Sequence, residues 1–211
     1  MRVCFLNMRF QSTRLLALAT ALLFAGCAKD TVHKLVVSVP DQKLALYRKG
    51  ELVHLYDVST SKYCLSTRNG SYGTPLGAHE VAKKIGGGQP MGMKFASRRP
   101  TGEIVQPNAP GRDPIVSRIL WLKGLESSNR NSFSRCIYIH GTAEEWKIGT
   151  PASYGCIRMR SKDVVDLYKT IGEGARVEIV NETLAPAAPA PAVETPVAGI
   201  AHVAVSQPAS Q

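Results

Sequence analysis

Apolar and polar positions alternate along much of the chain, and the period of the alternation predicts its elements. Leu35–Val39, Lys43–Tyr47 and Glu51–Val58 are short runs with a period near two, separated by Pro40-Asp41 and Lys49-Gly50, so they predict three strands joined by tight turns. Leu44 and Leu46, then Leu52, His54 and Tyr56, fall on alternating faces of a hairpin, which makes His54 a cross-strand or solvent-side residue. Ile115–Leu122 is apolar almost throughout and predicts a core strand, and Cys136–His140 alternates through Ile137 and Ile139 to put His140 at a strand end. A period of 3.6 appears once: Val164, Leu167, Tyr168 and Ile171 share one face of a helix over Lys162–Ile171, with Ser161 as its predicted cap and Gly172 or Gly174 ending it. Arg176–Val180 is a last strand. The pattern predicts a mainly β domain over residues 34–181 with one or two short helices. Residues 83–115, rich in Gly, Pro, Lys and Arg, read as an irregular segment at the rim of a cleft. No G-K-[ST] follows Gly86-Gly87-Gly88, so they are not a phosphate loop.

The ends of the chain do not continue this pattern. Arg2, Arg9 and Arg14 precede an apolar run, Leu15–Ala25, that is too short to span a bilayer, so residues 1–27 read as a secretory signal. The run closes F-A-G-C, which resembles a bacterial lipobox with Phe24 where Leu is usual; Cys27 is then either the acylated first residue of a mature lipoprotein or lost at a plain cleavage site. Residues 28–33 form a short linker, and residues 182–211 an Ala/Pro-rich tail with the composition of disorder. Removing residues 1–27 takes away three arginines and no acid, so a formal net charge of +10 becomes +7, from 23 basic and 16 acidic residues. For an exported protein the partner that fits this charge is an anionic cell wall rather than nucleic acid, although no dense basic block appears and dispersed cations also serve solubility.

Candidate chemistry concentrates between Ile139 and Met159, I-H-G-T-A-E-E-W-K-I-G-T-P-A-S-Y-G-C-I-R-M. An attacking cysteine acts as a thiolate, and a thiol of pKa about 8.5 is only slightly ionised at neutral pH, so a nearby imidazole must take its proton. Cys156 and His140 supply that pair, and catalysis of this kind predicts a thiol pKa depressed by the imidazole. Gly155 allows a sharp turn and close approach of a substrate carbonyl, with the N–H groups of Gly155 and Cys156 as an oxyanion hole. Of the remaining cysteines, Cys64 and Cys136 form a disulfide or stand as two separate thiols. The absence of C-x-x-C and H-x-x-x-H spacings argues against zinc.

The strings I-H-G-T and S-Y-G-C-I-R-M resemble the signature of the YkuD-like L,D-transpeptidase catalytic domain (ErfK/YbiS/YcfS/YnhG type), H-G-[TS] followed by S-H-G-C-[IV]-[RN]-[ML]. P-D-Q-K-L-A-L-Y-R-K-G-E-L-V and Y-G-T-P-L-G-A-H-E-V (Tyr72–Val81) extend the resemblance over residues 34–181. It implies a β-sandwich or barrel, no cofactor, and peptidoglycan stem peptides as substrate. In that reading the Cys156 thiolate attacks the carbonyl of the third stem residue with His140 as proton acceptor and donor, and the Gly141 carbonyl orients the imidazole. An amine from a second stem, a D-amino acid or a lipoprotein resolves the thioester, or water does so in an L,D-carboxypeptidase. A non-catalytic wall-binding lipoprotein is the third reading. Arg158 would pair with a substrate carboxylate or form an internal salt bridge. Ser153 is a substrate contact or a turn-forming hydroxyl. Tyr154 stands where the family has a second His, and as a substrate-side residue it offers a hydrogen bond instead of a titrating ring.

Overall fold

The alternating segments become strands, and the depth to which each is buried differs along the sheet. The computed structural model describes residues 28–184. Its strands are β1 (His33–Ser38), β2 (Lys43–Arg48), β3 (Glu51–Asp57), β4 (Gly77–Ile85), β5 (Met93–Ala96), β6 (Arg99–Ile104), β7 (Ile115–Gly124), β8 (Tyr138–Thr142), β9 (Ile157–Met159) and β10 (Arg176–Val180). Among the described residues there is one α-helix, α1 (Ser161–Thr170), and a single 3₁₀ turn at Glu145–Lys147. Residues 1–27, read above as a secretory signal ending at Cys27, and most of the Ala/Pro-rich tail lie outside the described residues.

The strands run in the order β3-β2-β1-β10-β4-β7-β5-β6, and the chain branches at β7, which also pairs with β8 and through it with β9. One edge of β7 changes partner along its length, from β5 at Ile115–Val116 to β4 at Ile119–Gly124. The switch falls at a bulge where Ser117 has φ +67° and its hydroxyl accepts the Gly92 N–H at 2.9 Å. A continuous apolar run is what this position demands, because β7 and β8 are covered on both faces. Leu120, Leu122 and Ile139 belong to the main core with Leu35, Leu44 and Ile179, whereas Ile119 and Tyr138 face a smaller cluster built on Met93 and Phe95.

The helix seals the main core through the face expected from its spacing. Val164 and Leu167 are fully buried and Ile171 is 2% exposed. Ser161 is the first helical residue and not the cap: Arg160 occupies that position without a side-chain hydrogen bond, and the Ser161 N–H donates to Glu145 Oε1 at 2.7 Å. Truncating Leu167 to Ala is expected to lower the unfolding free energy by about 3 kcal/mol, read from the urea midpoint at unchanged m-value.

Residues 83–115 are more ordered than their composition suggests. They hold the end of β4 and the β5–β6 hairpin, whose turn residues Ser97 and Arg98 both take positive φ, +47° and +67°. That is the backbone of a tight hairpin turn, usually announced by Asn-Gly or Gly-Gly. At the first hairpin the signal is legible: Lys49 and Gly50 lie at +52° and +89° between β2 and β3. His54 is exposed on β3 and stacks on Tyr56, centroids 4.1 Å apart.

Candidate active site

Strand pairing brings the candidate residues onto one face. The ladder between β8 and β9 is parallel and places His140 opposite Arg158. Side chains at matching parallel positions point the same way, as do residues two apart on a strand, so Tyr138, His140, Cys156 and Arg158 share a face. Interstrand spacing and a two-residue offset put the Cys156 and His140 Cα atoms roughly 8 Å apart, within reach for a thiol and an imidazole facing each other. Arg158 is held on its other side by Ser59, each residue's N–H donating to the other's carbonyl at 2.9 Å.

His140 is 5% exposed, and its Nδ1 lies 2.9 Å from the Gly141 carbonyl oxygen. A carbonyl only accepts, so Nδ1 carries the proton and Nε2 is left with a lone pair. Burial, with the Arg158 charge adding to it, lowers the imidazole pKa to about 4. Gly141 is required for packing: a Cβ there would stand 2.5 Å from the Val116 carbonyl and 3.1 Å from Val164.

The nucleophile loop is fixed by Ser153. Its hydroxyl donates to the Cys156 carbonyl at 2.6 Å and accepts the Gly155 N–H at 3.1 Å, and the residue is only 1% exposed. Ser153 therefore closes a turn, the turn-forming hydroxyl that was one of its two expected roles. The same bond takes up one of the two expected oxyanion donors, leaving the Cys156 N–H as the donor of that pair available to an oxyanion. Gly155 has φ +113° and a Cβ on it would meet the Gly73 carbonyl at 2.9 Å, so the loop accepts glycine and little else there.

Cys156 Sγ donates to the Cys136 carbonyl at 3.4 Å. Its pKa moves opposite to the sequence expectation: burial pushes the thiol up to about 11, although the Tyr138 amide and the Arg158 and Arg135 cations act to lower it. The resting pair is thus neutral thiol and neutral imidazole. Alkylation of Cys156 by iodoacetamide, followed by peptide-resolved mass spectrometry, is expected to be slow at pH 7 and to climb toward pH 11; a plateau below pH 8 would contradict it.

Arg158 is 7% exposed, and both ends of its guanidinium are engaged, by Asp113 Oδ2 at 3.2 Å and Glu144 Oε2 at 3.1 Å. The cation expected to meet a substrate carboxylate sits in an internal carboxylate clamp instead. Asp113, which sequence reasoning missed, extends that clamp: its Oδ1 accepts the Thr142 hydroxyl at 2.7 Å and the Ala143 and Glu144 N–H groups at 3.0 and 3.3 Å, anchoring the chain where it leaves β8.

The expected disulfide does not form. Cys64 and Cys136 are free thiols, Cys64 with its Sγ 3.6 Å from the Ser71 carbonyl of its own loop and Cys136 with its Sγ 3.9 Å from the Ser134 carbonyl. Arg135 ties these segments together instead, donating to the Ser66 carbonyl at 3.0 Å and the Gly73 carbonyl at 2.8 Å. Gly73 is the residue against which Gly155 packs, so Arg135 positions the nucleophile loop from behind. Only its place beside Cys136 could have suggested this from sequence.

Tyr154 does not replace the family's second His in the site's interior. It is 53% exposed and stands beside Lys62, whose charge holds the phenol below its ordinary pKa. Lys62, Tyr72, Arg112, Asp113, Tyr154 and Arg158 help line a cleft of about 630 Å³ next to the nucleophile loop.

The family model described as the L,D-transpeptidase catalytic domain (YkuD) matches residues 33–179. Among curated proteins, the chain is 28% identical over 162 residues to "Probable L,D-transpeptidase YbiS" of Escherichia coli K12, a match covering 72% of this chain and 46% of the relative. The chain thus spans about half the length of that relative, 46%. Among solved structures, it is similar to an L,D-transpeptidase from Xylanimonas cellulosilytica at 17% identity and a TM-score of 0.47, covering 80% of this chain and 69% of the other. An L,D-transpeptidase from Mycobacterium tuberculosis H37Rv gives 17% identity and a TM-score of 0.45, with 71% and 57% covered.

Proposed function

The chain belongs to the L,D-transpeptidase catalytic domain family, and from that premise we propose that it transfers the acyl group of a peptidoglycan stem peptide through a thioester on Cys156. The observation that carries this reading is the His140–Gly141 hydrogen bond, which selects the tautomer in which the imidazole, kept neutral by burial, leaves Nε2 free on the face it shares with Cys156. In the acylation step Nε2 takes the thiol proton as Sγ attacks the carbonyl carbon of the third stem residue. The Cys156 N–H stabilises the oxyanion. Collapse of the tetrahedral adduct breaks the bond to the fourth residue, D-Ala, whose amine leaves with the proton from His140. An acceptor amine then attacks the thioester, gives its proton to His140 and releases the Cys156 sulfur, which is reprotonated. No metal or redox partner enters this sequence of steps.

The pH dependence follows from the imidazole. A base is useless when protonated, so kcat/KM falls on the acid side, and because burial has lowered the His140 pKa the fall is centred near pH 4 instead of the usual 6.5. A rate profile of the purified chain with an acid limb near pH 6.5 would contradict the buried neutral base.

The test of function is product analysis after incubation with disaccharide tetrapeptide and a D-amino acid, with Cys156→Ala as control. Exchanged tetrapeptide or cross-linked dimer, absent in the control, supports transpeptidation. Tripeptide alone makes water the acceptor and the protein an L,D-carboxypeptidase, and no product at all favours a wall-binding role. For location, the Arg-bearing start, the apolar run and F-A-G-C support export and acylation at Cys27. Incorporation of labelled palmitate that is lost in Cys27→Ala is the expected result.

A further inference from the structure

Tyr63 and Tyr72 lie in the connection between β3 and β4 and Tyr154 in the nucleophile loop, and their ring centroids lie 5.8, 5.5 and 5.8 Å apart in pairs. Each ring is more than half exposed, at 54%, 58% and 53%. Clustered exposed aromatic area of this kind is uncommon unless it receives something. The cluster is also held firmly. The Ser61 hydroxyl donates to the Tyr72 carbonyl at 2.7 Å and accepts the Tyr63 N–H at 3.0 Å, and the Lys62 N–H donates to the Ser153 carbonyl at 3.1 Å. Tyr72 is kept at φ +55°, a conformation that costs a bulky residue free energy and persists where the surroundings impose it.

The chemistry of the cluster selects its ligand. The rings meet at 39°, 50° and 81°, so they form a shallow cup and not a flat stack. The Lys62 ammonium stands 5.2 and 4.9 Å from the Tyr63 and Tyr154 centroids and has no carboxylate partner among the described residues. A purely apolar side chain would leave that ammonium facing hydrocarbon. A pyranose ring can lay its C–H face on the tyrosines, keep its hydroxyls in water and offer an acetamido oxygen to Lys62.

Tyr154 stands two residues before Cys156, so the cup adjoins the nucleophile loop. Three extended stem residues, from the attacked carbonyl back to the sugar, span about 10 Å.

We propose that Tyr63, Tyr72, Tyr154 and Lys62 form a glycan subsite that holds the N-acetylated sugar carrying the stem presented to Cys156. The subsite rests on the acyl-transfer reading for its substrate, and its test does not need turnover. The full chain is titrated with tetra-N-acetylchitotetraose while the tyrosine ring signals are followed by NMR. Saturable shifts at the three tyrosines are expected, about tenfold weaker in Tyr63→Ala and in Tyr72→Ala, and retained in Tyr63→Phe because the ring and not the hydroxyl makes the contact. No saturable shift, or an affinity in both alanine variants equal to that of the parent, overturns the subsite. A chain that binds the saccharide but turns over no stem peptide refutes acyl transfer alone; one that turns over stems and ignores the saccharide refutes the subsite alone.

Discussion

Replacing His140 with Ala is expected to lower kcat/KM on tetrapeptide stems by about 10³-fold, within the range of general-base contributions. The size follows from the state of the sulfur. With its pKa raised to about 11, the Cys156 thiol is ionised in only about one molecule in 10⁴ at pH 7. A site with so little thiolate depends on proton removal during attack, and the proposed mechanism gives that task to the Nε2 atom left free by the Gly141 carbonyl. Without the imidazole the residual rate should rise steeply with pH, tenfold per unit, as hydroxide supplies the thiolate. A His140→Ala enzyme that keeps more than about a tenth of the parent activity, with an unchanged pH profile, would show that the base lies elsewhere.

The second large effect is structural. Asp113→Ala removes one of the two carboxylates from a nearly buried guanidinium, the side chains being 9% and 7% exposed, and releases three donors at the end of β8. Leaving a buried charge without its partner typically costs about 3–5 kcal/mol; here Glu144 stays on Arg158, so the pair loses less, and the three orphaned donors bring the total toward the low end of that range. Urea unfolding should show a loss of that order in Asp113→Ala. Arg158→Met, which removes the cation but keeps its bulk, leaves two carboxylates facing each other and is expected to be equally harmful. If Arg158→Met is stable and raises only KM, Arg158 faces the substrate after all.

How much of this was legible in the sequence depended on whether the signal was local. Arg176–Val180 and the apolar face of α1 could be read because period and burial coincide in one short segment. The β5–β6 hairpin could not: β6, R-P-T-G-E-I, is exposed at every position, so no core imposes a period-two pattern on it, and its turn uses Ser and Arg at positive φ. The nucleophile loop was read correctly in its glycine, because the need for φ +113° at Gly155 is a property of one residue. The Ser153 turn was among the expected roles because its partners are local, whereas the partner of Arg158 was not legible: its clamp needs Asp113, 45 positions earlier. The thiol pKa was misjudged for a related reason. Residue type says that an imidazole can lower it, and only burial says that desolvation dominates.

The most direct test of the Cys156–His140 acyl-transfer reading is intact-protein mass spectrometry after rapid mixing with disaccharide tetrapeptide in the absence of an added acceptor amine. The predicted result is a single adduct with the mass of the disaccharide tripeptide acyl group, mapped to Cys156 by digestion and absent from Cys156→Ala. An adduct on Cys64 or Cys136, or turnover without any adduct on Cys156, would contradict it.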